Sequence, residues 1–276
     1  MCKIIFSIFL VLTFLCSSAM SETAVDWFYK ANALSDGKKY TNPKKAIGYL
    51  NNAIKLQPNY IDAYVNRGNA YYGLGQYQRA IEDYNKAILL KPDYAKVLFN
   101  RGTAYSALGQ YQSAIKDHDE AISLQPDLTE AYCERGAAYA NLGQHQRAIE
   151  DFNEAIRLKP DYASAYNNRG LAYNNLGQYQ LAIGDFNEAI SLQPDLTEAY
   201  YNRGTAHNNL NQHHRAIMDF NEAIRLKPDY AEAFNNRGVT YFKQGNNEFG
   251  CRDAQKACEL RVCKVLDLAK SKGLCR

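Results

Sequence analysis

Residues 61–94 read IDAYVNRGNAYYGLGQYQRAIEDYNKAILLKPDY, and the pattern inside them decides the fold. Tyr64, Gly68, Tyr71 and Leu74 step by 4, 3 and 3, one stripe of an α-helix. Gly75-Gln76 breaks that helix, and Ala80, Ile81, Tyr84, Ala87 and Ile88 form a second stripe. Lys91-Pro92 ends it, because a residue before proline is pushed out of the α region. Asp93 is expected to cap the following helix through its carboxylate. The stretch is thus two antiparallel helices with polar turns.

The same stretch recurs along the chain. Proline falls at 58, 92, 126, 160, 194 and 228, always at the same interval. Arg-Gly pairs keep that interval at 67, 101, 135, 169, 203 and 237. A fixed period within the range of roughly 20–50 residues signals a solenoid of stacked units. In later copies Asp127 with Glu130, Asp195 with Glu198, and Asp229 with Glu232 resemble capping boxes. Residues 129–162 match 197–230 better than the copy between them, which suggests duplication of a two-unit block.

Composition agrees with repetition. Tyrosine occurs 22 times and tryptophan once, as a copied motif would produce. An apolar share of 46% argues against wholesale disorder, and 7 prolines with 17 glycines are too few for a collagen-like or linker-rich chain. With 32 basic against 29 acidic residues, the net charge of +3 gives little reason to expect nucleic acid as a partner.

The large-small order of Tyr64, Gly68, Tyr71, Ala80, Tyr84, Ala87 and Pro92, repeated by Tyr166, Gly170, Tyr173, Ala182, Phe186, Ala189 and Pro194, resembles the tetratricopeptide repeat family. The resemblance covers roughly residues 27 to 264. It implies an all-α, right-handed superhelix of about seven helical hairpins whose first helices line a concave face. The expected division is a signal peptide at 1–20, a divergent first unit at 21–60, and five regular units at 61–230. A divergent last unit at 231–264 and a capping helix with tail at 265–276 complete it. The first unit has a short insertion around Lys38 to Pro43, and the last replaces the usual ring by Ala254. Atypical ends are expected where a stack meets solvent.

Met1-Cys2-Lys3, an apolar run at 4–15, and small Ser17, Ser18 and Ala19 follow the order of a secretory signal peptide. That run is shorter than the ~20 residues that cross a bilayer. The expectation is an exported chain, periplasmic or secreted, with an anchor formed by residues 4–15 as the alternative. Membrane attachment is expected only if that segment is retained.

Arg67, Arg101, Arg135, Arg169, Arg203 and Arg237 each precede an aspartate at one constant spacing. The partners are Asp83, Asp117, Asp151, Asp185, Asp219 and Asp253, placed to form bidentate ion pairs between the helices of one unit. The column just before the arginines holds Asn66, Asn100, Glu134, Asn168, Asn202 and Asn236. It resembles the asparagine ladder with which some long members of the family, such as the glycosyltransferase that adds N-acetylglucosamine to proteins, hold an extended peptide backbone. A carboxamide both donates and accepts, so it suits a peptide unit whatever its side chain. Asn69, Tyr72, Asn167, Asn174, Tyr201, Asn208, Asn235 and Phe242 are neighbouring candidates for the same face. The bland reading is a solvated helix face. The expected partner is a protein or peptide, with self-association into homo-oligomers or a structural spacer role as the alternative, and glycan binding third.

His118 stands in the column of Tyr84 and Phe152, His207 in that of Tyr71, and His145 and His213 in that of Tyr77, so packing is their expected role. No nucleophile motif, phosphate loop or carboxylate pair argues for an enzyme, and no cofactor or metal is expected. Cys251, Cys258, Cys263 and Cys275 crowd the C-terminal end, which in an exported chain favours disulfides. Cys251 and Cys258 cannot bridge on one helix, since seven residues rise ~10 Å and bridged Cα atoms lie within ~7 Å. A nested pairing of Cys258 with Cys263 and Cys251 with Cys275 is expected, with reduced packed thiols as the alternative. Cys133 reads as a free thiol or packing residue on a concave-facing turn.

Overall fold

The computed structural model describes residues 22–37 and 39–275. Residues 1–21, on which the expected signal peptide falls, Lys38 and Arg276 lie outside the described residues. Among those described, fifteen helices follow one another: α1 (Ala24–Asn32), α2 (Pro43–Leu56), α3 (Ile61–Gly73), α4 (Tyr77–Leu90), α5 (Ala95–Ala107), α6 (Tyr111–Leu124), α7 (Thr129–Asn141) and α8 (His145–Leu158). They continue as α9 (Ala163–Asn175), α10 (Tyr179–Leu192), α11 (Thr197–Asn209), α12 (His213–Leu226), α13 (Ala231–Lys243), α14 (Asn247–Glu259) and α15 (Lys264–Ser271). The chain is an all-α solenoid in which each helix packs on its neighbours in sequence.

Curvature follows from which helices meet beyond their neighbours. The odd-numbered helices touch one another from α3 through α15, whereas the even-numbered ones are spread apart. The odd helices therefore form the inner side of the bend.

Close approach within a hairpin is made by glycine facing a ring. A methyl group at Gly136 would lie 2.9 Å from Phe152, and one at Gly170 would lie 2.8 Å from Phe186. Tyr84, Phe152, Phe186 and Phe220 fill these contacts and are wholly buried. The last hairpin inverts the arrangement. With Ala254 where other units carry a ring, a methyl at Gly238 would meet the α14 backbone instead, 3.2 Å from the Gly250 carbonyl, and Phe242 on α13 lies against Gly250, 2.7 Å from where a methyl would sit. Phe242 packs beside the cap rather than among the concave candidates.

The expected aspartate caps do not form. The N-caps are Tyr94, Leu128, Leu196 and Tyr230, none with a side-chain cap bond. Asp93, Asp127, Asp195 and Asp229 lie one residue too early for their carboxylates to reach the free amides, and Glu130, Glu198 and Glu232 fall at the second helical position instead of the third. The capping box that does form is Thr23 with Asp26 at the start of α1. The hairpin turns work through glycine: Gly75, Gly109, Gly143, Gly177 and Gly245 all have positive φ, between 71° and 76°. Asn211 takes that position in the sixth unit at φ 58°.

The inserted residues of the first unit form a loop between α1 and α2, closed by the Thr41 amide donating to the Leu34 carbonyl at 2.8 Å. At the other end, disulfides Cys251–Cys275 and Cys258–Cys263 nest as the spacing suggests, with Cα separations of 5.5 and 4.0 Å. They hold α15 and the tail over Phe242 and Ala254. No helix among the described residues is long and apolar enough to cross a membrane.

Candidate functional site: the concave trough

The inner side is built from one stripe of each odd helix. At its N-terminal end lies a cavity of about 840 Å³ lined by Asn32, Asn66, Asn69, Tyr72 and Asn100, with Lys39, Lys96, Phe99 and Thr103 around them. Asn32 stands one full repeat before Asn66 and extends the asparagine column by one unit; its spacing could have disclosed it, but the irregular loop after it obscured the repeat.

The column is laced together from unit to unit. Asn66 Nδ2 donates to Asn32 Oδ1 at 2.8 Å, and Asn100 Nδ2 donates to Asn69 Oδ1 at 3.1 Å. Asn202 donates to Asn167 at 3.1 Å and Asn236 to the Tyr201 hydroxyl at 3.0 Å. Asn168 turns its amide toward the Cys133 sulfur at 4.0 Å. Asn69 is exposed, but the asparagines of the column itself are half-buried, so the column is more than a solvated face. Each amide is oriented by one or two such bonds, Asn168 and Asn236 also accepting from Asn167 and Asn235, and keeps further donor and acceptor capacity.

The remaining candidates differ among themselves. Asn69 also accepts from the Tyr84 hydroxyl at 2.8 Å. Tyr201 packs on Tyr230, ring centres 5.0 Å apart, and is largely a wall. Asn208 shares a hydrogen bond with His213 at 3.0 Å. Asn174 and Asn235 each carry a buried amide oxygen without a hydrogen-bond partner. Cys133 sits within α7, buried, not on a turn open to the trough as expected. Burial, with the Glu134 charge next in weight, pushes its thiol up to about 12, which leaves it protonated and unreactive. Glu134 has no hydrogen bond or ion pair among the described residues, and burial raises its carboxyl.

Every column arginine meets its aspartate through two bonds, the shortest to each oxygen between 2.6 and 3.0 Å. The third arm reaches the preceding even helix, to Asn51, Asn85, Asp119, Asn153, Asn187 or Asn221, at 2.5 to 2.7 Å. That second set, as far before each arginine as the aspartate is after it, was legible as a column in the sequence but unassigned. Each guanidinium therefore fastens two units. At Asp83 and Asp151 burial outweighs the guanidinium and lifts the carboxyls, so these pairs fix register more than they add stability.

The histidines are packing groups. His118 faces Gly102 as rings do in other units, 2.7 Å from where a methyl would stand. His207 bonds Gln212 at 2.7 Å. Among the described residues no three metal-binding side chains converge.

Comparison with known proteins agrees with this architecture. Family models described as tetratricopeptide repeats match residues 49–82, 68–109, 102–143, 139–177, 163–196 and 207–245, well over half of the chain. A tetratricopeptide repeat protein from Parabacteroides merdae superposes with a TM-score of 0.72 at 21% identity, over 90% of this chain and 98% of that one. MamA is 28% identical over 60% of this chain and 96% of its own, with a TM-score of 0.54. YrrB, described as having an unusual peptide-binding site, gives a TM-score of 0.55 at 21% identity, over 68% of this chain and 97% of its own. No curated protein sequence matches.

Proposed function

The chain belongs to the tetratricopeptide repeat family, and we propose that it is a non-enzymatic scaffold that holds an extended peptide or protein segment in its concave trough. Proteins of this family are generally non-catalytic and mediate protein–protein contacts. The observation that carries the reading is the column of Asn32, Asn66, Asn100, Asn168, Asn202 and Asn236, interrupted by Glu134, oriented by bonds between units and lining, at its N-terminal end, a cavity of about 840 Å³. Backbone amides of an extended ligand would meet one carboxamide per unit, which gives affinity with little demand on ligand sequence. The peptide-binding site named for YrrB, a protein of the same fold, is in keeping with this.

Export is part of the proposal. Its support is the signal-like start of the sequence and the paired cysteines of the tail, since structural disulfides persist in oxidising compartments. Sequencing the N-terminus of the mature protein checks it: a chain starting near Ser21 agrees, and one starting at Met1 in the cytoplasm does not.

A photo-crosslinking residue placed at Asn69, in the trough, is expected to capture a partner that the same residue at Gln78, on α4, does not. Replacing Asn168 and Asn202 together by Ala is expected to weaken that partner's binding. Undiminished affinity in the double variant removes the column from the site.

A further inference from the structure

The N-terminal end of the trough departs from the repeat at several places that meet in one cavity. The loop inserted between α1 and α2 belongs to the first unit alone, and its Ser35, Gly37, Lys39 and Tyr40 line the space of about 840 Å³. Lys96 on α5, which also lines it, stands in the column that elsewhere holds Asp62, Glu130, Glu198 and Glu232. Tyr72 and Phe99 bring rings to two columns that carry none in most other units. No acidic side chain lines the cavity, and neither lysine has an ion pair among the described residues.

Hydrogen bonds fix which way the amides face. Asn32 Oδ1 accepts from Asn66 Nδ2 at 2.8 Å and from the Tyr40 hydroxyl at 3.4 Å. Asn69 Oδ1 accepts from the Tyr84 hydroxyl at 2.8 Å and from Asn100 Nδ2 at 3.1 Å. Both oxygens are thus filled, so Asn32 and Asn69 offer N–H groups, while Asn66 and Asn100 keep carbonyl oxygens to accept with. A hydroxyl donates and accepts through one atom, so neighbouring hydroxyls of a sugar satisfy this mixed set. A carboxylate alone only accepts, and would leave the Asn66 and Asn100 oxygens unmet.

The rings suit the same ligand. Tyr72 packs on Tyr77 and Phe99 on His118, with ring centres 5.2 and 5.7 Å apart, so both are held in place. The chain's own cations at this end lie over other rings, Tyr64, Tyr71 and Tyr94. Tyr72 and Phe99 therefore remain for the apolar C–H face of a pyranose. The volume falls within the range of about 300–1,000 Å³ common to small-ligand sites.

We propose that this cavity binds an acidic sugar, a hexuronic acid residue of an oligosaccharide, with its hydroxyls on Asn32, Asn66, Asn69 and Asn100, its carboxylate toward Lys39 and Lys96, and its ring against Tyr72 and Phe99. The inference goes beyond the peptide reading. It gives the N-terminal cavity a ligand of its own and leaves the column from Asn168 to Asn236 to the peptide.

Fluorescence anisotropy on the disulfide-intact mature chain tests it. The probes are end-labelled tetramers of glucuronate, galacturonate and mannuronate, their uncharged methyl esters, and a hexapeptide of serine and alanine with a free C-terminal carboxylate. At least one uronate is expected to bind, about tenfold tighter than its ester, as one charge-assisted hydrogen bond provides. Lys39→Met with Lys96→Met, checked for an unchanged helical melt, is expected to bring that uronate to the level of its ester. Asn69→Ala, checked in the same way, is expected to weaken acid and ester alike. Absence of binding by all three uronates overturns the inference and leaves the peptide reading standing. Equal binding of acid and ester overturns it, as does a lysine variant that keeps the full preference. The hexapeptide held as tightly as the best uronate makes the cavity a site for chain ends and also overturns the proposal.

Discussion

Single residues in this solenoid are judged by the space opposite them. Gly170 and Gly184 are both helical, but a methyl at Gly170 meets Phe186 at 2.8 Å while one at Gly184 meets nothing within 4 Å. Gly170→Ala is therefore expected to destabilise by about 1–3 kcal/mol through overpacking, whereas Gly184→Ala is expected to stabilise by about 1 kcal/mol through helix propensity. Urea unfolding of the two variants separates the cases, and equal effects would remove the ring contact as the reason for the constant placing of glycine in the repeat. His118 gives a pH effect. Burial, helped by Arg135, lowers its pKa from 6.5 to about 4. The unfolded chain takes up that proton as pH falls through 6.5 while the folded one does not. Stability is therefore full above pH 6.5 and falls toward pH 4 by up to about 1.4 kcal/mol per unit. His118→Phe, the residue of the corresponding site at Phe152, is expected to flatten that decline in melts taken between pH 4 and 7.

At the scale of elements, what matters is how one helix is tied to the next. The arginine triads reach backward to one even helix and forward to another, so Arg169→Lys, which keeps the charge but loses the fork, is expected to loosen α8, α9 and α10 together. Faster amide exchange in all three helices is the readout, and a change confined to α9 would reduce the triad to a local contact. The cap is tied covalently. From loop length alone, Cys251–Cys275 at a separation of 24 is worth about 3 kcal/mol and Cys258–Cys263 at a separation of 5 about 2 kcal/mol. Replacing the first pair by alanine is expected to lower the melting temperature more than replacing the second, with fraying confined to α14 and α15. The helix pairs themselves were legible from apolar spacing, and so were the turns, because glycine at positive φ and proline after the second helix leave marks at fixed places. The caps were misread for a backbone reason: the helices start one residue later than the aspartates suggest, with Tyr94, Leu128, Leu196 and Tyr230 at the cap positions.

Among the described helices, the substantial contacts run between neighbours and next neighbours, so stability is a sum over units and interfaces. Excising residues 163–196 joins Tyr162 to Thr197, which stand where neighbouring copies already meet. The shortened chain is expected to unfold in one cooperative step at lower denaturant, with a slope reduced in proportion to the lost surface. Two separated steps would mean the units do not share a continuous interior. The sequence by itself determined the repeat, the hairpins, the arginine–aspartate partners and the nested cysteines, because each depends on local periodicity or on a constant spacing along the chain. Tertiary structure alone decided that Phe242 enters the space at Gly250 beside the cap, and that ladder side chains bond one another from unit to unit. Those facts depend on the small rotation from each unit to the next, which brings residues far apart in sequence to one surface and leaves no mark in any single copy.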